Sequence, residues 1–119
     1  MPAPDDASPV SLDRINEITG GDREFAIELI DTFIERADEL VETIARSAAA
    51  EDFETLRIAA HTLKDSSSNF DATALQEASA HLEAVASTDT SFESLESDVE
   101  LIRNTYAAAR KALEDSRSA

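Results

Sequence analysis

Cysteine is absent from the 119 residues, which excludes disulfides and thiolate metal sites and fits a reducing compartment. Glycine and proline are scarce as well. Both glycines (Gly20, Gly21) and all three prolines (Pro2, Pro4, Pro9) fall in the first 21 residues, so the two strongest breakers are missing from Asp22 to Ala119. Aromatic residues supply only 5% of a chain that is 42% hydrophobic, so a core must be built from Ala, Leu, Ile and Val with a few Phe. No apolar run approaches the roughly 20 residues that cross a bilayer. Residues 1–6 (Met-Pro-Ala-Pro-Asp-Asp) have neither the basic start nor the apolar stretch of a signal peptide, so the expected location is cytoplasmic. Positive charge is also in short supply, with 10 basic residues against 26 acidic ones and Lys64 and Lys111 the only lysines. The net charge of -16 repels nucleic-acid backbones and anionic membranes alike and excludes both as partners. Such an acidic, lysine-poor surface is a style of salt-adapted organisms, and by itself it names no function.

What is present is helical periodicity in a chain long enough for one domain. Residues 1–10 read as a disordered tail. Ser11 caps a short helix carrying Leu12, Ile15 and Ile18, which Gly20-Gly21 closes. From Asp22, apolar residues recur at Ala26, Leu29, Ile30, Phe33, Ala37, Leu40, Ile44 and Ala48, a helical spacing held over about seven turns. Glu51-Asp52 starts a third helix with Phe53, Leu56, Ala60, Leu63, Ser67 and Phe70 on one face. Asp71 is placed to cap a fourth, bearing Leu75, Ala78, Leu82 and Val85. After a turn over 87–91, Thr90 and Glu93 form a capping box for a last helix with Phe92, Leu95, Val99, Ile102, Tyr106, Ala109 and Leu113. Long amphipathic helices joined by short turns imply an all-α fold, an antiparallel up-down-up-down four-helix bundle with a short additional N-terminal helix. The bundle is expected over 11–115, with 116–119 a C-terminal tail.

One residue is on the wrong side of this pattern to be core. At 100° per residue, His61 falls about 140° from the centre of the apolar face of the third helix and so points to solvent. Arg57, Ile58, Lys64, Asp65 and Ser68 share its outer surface. A neutral imidazole nitrogen is a good nucleophile near pH 7, and its phosphoramidate stays reactive enough to pass the group on. Lys64 can offset charge on phosphoryl oxygens, Arg57 can assist, and the hydroxyl of Ser67 or Ser68 can donate a hydrogen bond. No Walker loop, glycine-rich cradle or acidic Mg site accompanies them, so the phosphoryl group has to come from another protein. The alternative is an ordinary solvated histidine.

Ala60-His61-Thr62-Leu63-Lys64, then Ser66-Ser67, Ala72 and Leu75, resembles the motif of the histidine-containing phosphotransfer (HPt) domain, roughly AHxLKGSSxxxGAxxL. The resemblance implies a four-helix bundle that takes a phosphoryl group on His61 from the aspartyl phosphate of one response-regulator receiver domain and passes it to another, within a multistep relay fed by a hybrid sensor histidine kinase. It also implies that Lys64 faces the phosphate, that the receiver supplies the Mg ion, and that the domain is a carrier without turnover or cofactor of its own. Two positions depart from the motif. Its first glycine is Asp65 here, which adds bulk and negative charge where a phosphoryl group must approach, and its second is Asp71. Arg57 or Lys64 is expected to pair with Asp65. The second reading is a degenerate, acidic helical adaptor that docks a protein partner without phosphotransfer.

Ile27 and Ile34 on the second helix, with Ile58, are a candidate apolar docking patch beside His61, and Arg23 and Asp31 a candidate polar rim; the alternative places both isoleucines at the edge of the core. His81 has no metal-ligand spacing to His61 and reads as a surface residue, so no metal site is expected. Tyr106 reads as core with its hydroxyl at the edge. The high negative charge disfavours self-association and points to a monomer.

Overall fold

The computed structural model describes residues 9–87 and 92–118. Five helices and no strand occur among them: α1 (Leu12–Thr19), α2 (Arg23–Ala49), α3 (Phe53–Ser68), α4 (Thr73–Ala86) and α5 (Phe92–Ser118). The four longer helices close a circuit, α2 on α3, α3 on α4, α4 on α5 and α5 on α2, while α1 packs on α2. The expected stripes line the interior. Ile30, Phe33, Ala37, Leu40, Ile44 and Ala48 from α2 meet Leu56, Ala60 and Leu63 from α3, Leu75, Ala78 and Leu82 from α4, and Leu95, Val99, Ile102, Tyr106, Ala109 and Leu113 from α5. With so few aromatics, one cluster joins three parts of the core: the Phe33 ring centroid lies 4.7 Å from Phe70 and 6.4 Å from Tyr106.

The helix starts follow from local chemistry. Ser11, Asp22 and Asp52 each accept a backbone N–H of the first turn, from Arg14, Phe25 and Thr55 respectively. Gly20, at φ 64°, ends α1 in the left-handed conformation that glycine adopts without cost. The later turns have no glycine, and Glu51 (φ 57°) and Asp71 (φ 47°) take that conformation instead. Asp71 therefore does not cap α4. Ala72 occupies the cap position with no side-chain hydrogen bond, and Asp71 spends its place on reversing the chain.

Three further expectations change. Val10 is buried and the Ser11 N–H donates to the Phe70 carbonyl at 2.8 Å, so the end of the segment read as a tail is pinned to the α3–α4 turn; residues 1–8 lie outside the described residues. Leu12 and Ile18 are exposed while Thr19 is buried, its hydroxyl donating to the Ile15 carbonyl. At the other end α5 continues to Ser118, past the expected boundary at 115, and Arg23 donates to the Arg117 carbonyl at 2.9 Å. Residues 88–91 of the expected 87–91 turn, the Thr90–Glu93 capping box and the Phe92 side chain lie outside the described residues. No described helix is long and apolar enough to cross a membrane.

Candidate functional site

His61 sits on α3, held there because Leu56, Ala60 and Leu63 on the same helix are fully buried and fix which way the outer face turns. Its side chain is 50% exposed. The ring is bracketed by two carboxylates. Nδ1 lies 2.8 Å from Oε2 of Glu83, which reaches across from α4, and Nε2 lies 3.3 Å from Oδ2 of Asp65, one turn on along α3. The second oxygen of Glu83 accepts from Lys64 Nζ at 3.1 Å. One glutamate thus bridges the imidazole and the ammonium.

The electrostatics follow from this bridge. Lys64, and after it the imidazole, hold the Glu83 carboxyl below its ordinary range, against the opposing effect of its partial burial. An ionised Glu83 has no proton to offer, so the hydrogen on the 2.8 Å contact belongs to Nδ1. That assignment leaves Nε2 as the nitrogen whose lone pair is available in the neutral ring. Nε2 nevertheless faces Asp65, and it meets that carboxylate attractively only as a second N–H donor.

The structure places the sequence-read residues unevenly. Lys64 is beside His61 but pairs with Glu83, not with the expected Asp65. Arg57 is half-buried, and among the described residues no ion pair joins it to Asp65 or Glu83. Ser67 is fully buried and its hydroxyl donates to the Leu63 carbonyl at 2.6 Å, which removes it from any phosphate, as its position on the apolar stripe requires. Ser68 spends its proton likewise on the Asp65 carbonyl, at 2.6 Å. Ile34 is buried, so the proposed patch of Ile27, Ile34 and Ile58 is not formed. Ile27 instead lines a groove of about 360 Å³ with Leu12, Ile15 and Arg117, and Ile58 alone stands exposed, at 52%. Asp31 pairs with Arg117, and the Arg23 guanidinium is turned to the end of α5, so the polar rim belongs to the α2–α5 junction. His81 is exposed with Nε2 3.3 Å from Asp98. No group of three metal-ligating side chains occurs among the described residues.

Glu83 is the residue the sequence reading missed. Its signal was present but faint. His61 lies eight residues before Asn69 and Glu83 eleven after Ala72, so a chain that folds back over 69–72 brings them near one level. On α4, Glu83 also flanks the buried Leu82 at the edge that meets α3.

A family model described as Hpt domain matches residues 28–114. The fold is similar to the crystal structure of the HPT domain from the Hpt sensor hybrid histidine kinase from Shewanella, with a TM-score of 0.77 at 18% identity over 92% of this chain and 94% of that one. No curated protein matches the sequence.

Proposed function

Because the chain belongs to the Hpt domain family, a family of phosphoryl carriers in two-component signalling, we propose that His61 is its phosphoryl acceptor and that Nε2 is the atom that takes the group. The observation that carries this reading is the Nδ1 contact to Glu83, which orients the ring, fixes the hydrogen on Nδ1 and directs the other nitrogen outward. In the forward step the Nε2 lone pair attacks the phosphorus of a receiver aspartyl phosphate. The N–P bond forms, the P–O bond to the aspartyl carboxyl breaks, and the carboxylate leaves. No proton need move, because neutral Nε2 carries none, and the positive charge that develops on the ring lies against Glu83. Lys64, whose ammonium is one glutamate away from the ring, swings to the phosphoryl oxygens as they arrive.

The frame of this reading is an antiparallel up-down-up-down bundle acting as a monomer in the cytoplasm. Its partners are receiver domains, at least one fed by a hybrid sensor histidine kinase. The receiver brings the Mg ion and the acidic pocket, the carrier has no turnover of its own, and exposed Ile58 is the apolar contact left for docking beside His61. A second reading, the degenerate adaptor, draws on one observation: Asp65 stands against the nitrogen that must react.

The test is labelling of the purified protein by phosphorylated receiver domains with Mg. Acid-labile, base-stable label is expected on the wild type and absent from His61→Gln, with helical content unchanged. Label that survives His61→Gln would remove His61 from the relay, and a wild type that no receiver labels would favour the adaptor.

A further inference from the structure

Two carboxylates touch His61, and they do different things. Glu83 comes from α4, is mostly buried (23% exposed) and is fixed by Lys64 as well as by the ring. Asp65 is on the same helix as His61, is 66% exposed, and has no other ion pair among the described residues. The first is part of a built cluster. The second is a free arm laid over Nε2, the nitrogen with which the relay reading requires the phosphoryl group to bond.

An aspartate in that place blocks in two ways. It occupies the approach to Nε2, and its charge stands where the phosphoryl oxygens must come. An incoming phosphoryl group adds further negative charge beside it, so Asp65 has to leave before transfer begins. Its exposure makes leaving easy, since an exposed pair of this kind is only weakly held. What draws it away is a cation from outside, because Lys64 is engaged by Glu83 and Arg57 stands eight residues back along α3, about 12 Å by helical rise.

We infer that Asp65 is a gate over Nε2 that selects the partner: a receiver domain with a lysine or arginine beside its phosphorylation pocket pairs with Asp65 and lifts it from His61, leaving the Nε2 lone pair of the neutral ring open to attack. The inference rests on the relay reading for its partner, while the gate itself can be read in the isolated protein. A strongly acidic chain with a net charge of -16 suits a basic rim on that partner.

The gate is tested without any partner by diethyl pyrocarbonate, which acylates an accessible imidazole nitrogen through its lone pair, with peptide mass spectrometry reading His61 separately from His81. Acylation of His61 is expected to be about five times faster in Asp65→Ala and in Asp65→Asn than in the wild type. In the wild type it should rise at least threefold between 20 mM and 1 M NaCl, where the screening length falls to about 3 Å, and it should stay nearly flat in the variants. Equal, salt-independent rates in all three proteins overturn the gate. For the partner, basic residues around the pocket of a receiver that labels the wild type are replaced by alanine in turn. One replacement should slow transfer to the wild type about tenfold and transfer to Asp65→Ala less than twofold; equal losses on both overturn the selection. If receivers label neither protein, the relay reading falls and the selection with it, whereas the acylation result still decides the gate.

Discussion

Glu83 carries two tasks that a neutral side chain would divide, and the division gives a test at the scale of single residues. A glutamine retains an oxygen that accepts from Nδ1–H but offers Lys64 no charge, whereas an alanine offers neither. Glu83→Gln is therefore expected to keep the Nδ1–H tautomer, read from imidazole ¹⁵N shifts, and to stay within about threefold of the wild type in single-turnover phosphotransfer. Glu83→Ala should lose the fixed tautomer and slow transfer by about 10- to 100-fold, the size of effect seen when the partner that orients a metal-binding histidine is removed. The same carboxylate sets a pH dependence. Its folded value lies below the ordinary 4.5, so the stability it contributes is fully present above 4.5 and is lost as pH falls through the folded value. Chemical denaturation of wild type and Glu83→Gln should accordingly differ at pH 6 and converge in strong acid; a gap unchanged at low pH would show that the Lys64 and His61 contacts do not stabilise the fold. His61 and Lys64 were legible in the sequence because both lie on one helix, where fixed geometry converts spacing into proximity. Glu83 was not, because it reaches the site across an interface whose register no local pattern sets, and Ser67 was misread because its hydroxyl is chemically suited to phosphate while its position is core.

At the scale of the elements, the glycine-poor turns are the weak points. Glu51 and Asp71 hold left-handed backbone at φ 57° and 47°, which costs a non-glycine residue about 1–2 kcal/mol, partly offset in a glycine variant by its greater loss of chain entropy. Glu51→Gly is expected to raise stability by about 0.5–1 kcal/mol and Tm by a few degrees. Asp71→Gly should gain less, because aspartate tolerates this region better than glutamate. Thermal unfolding followed by circular dichroism decides it, and a fall in Tm for Glu51→Gly would mean that its side chain contributes more than its backbone costs. The helices themselves were readable from the apolar spacing, the Ser11 cap and the start at Glu51-Asp52, since these depend on neighbours within one turn. The start of α4 was not, because aspartate suits both a cap and a left-handed turn, and only the hydrogen bonds from Asp71 N–H to Ser68 and from Ala72 N–H to Ser67 select the second. The far end of α5 was hidden for a similar reason. Residues 116–118 have no apolar periodicity, and Arg117 is held by contacts to Asp31 and Arg23 on α2 that lie 86 and 94 residues away in sequence.

For the whole molecule the governing quantity is the excess of 16 negative charges on a chain whose Cα radius of gyration is 14.8 Å. Charges of one sign that close repel over distances comparable with the Debye length, about 10 Å at 0.1 M salt, and the unfolded chain relieves that repulsion by expanding. Salt acts in the other direction on the ion pairs. Those at the surface, such as Arg14–Glu17, Arg36–Glu39 and Arg46–Glu42, have contact distances of 3.7, 3.8 and 3.9 Å between well-exposed groups, and each contributes at most a few tenths of a kcal/mol. The stronger junction, where Arg110 meets Asp38 at 2.9 Å and the Tyr106 hydroxyl donates to the same carboxylate, is partly sheltered and is screened less. Burial and the Asp38 charge both push the Tyr106 hydroxyl well above its ordinary value, so it remains a donor throughout the physiological range. Relief of the general repulsion should therefore outweigh the loss of pairs. The Tm is expected to rise by several degrees between 50 mM and 1 M NaCl, with sodium chloride chosen over sulfate so that screening and not surface exclusion is read. A Tm that falls with salt would mean that the sheltered pairs, chiefly Asp38 with Arg110, hold more of the fold than the repulsion takes away, and Asp38→Asn would then abolish the salt dependence.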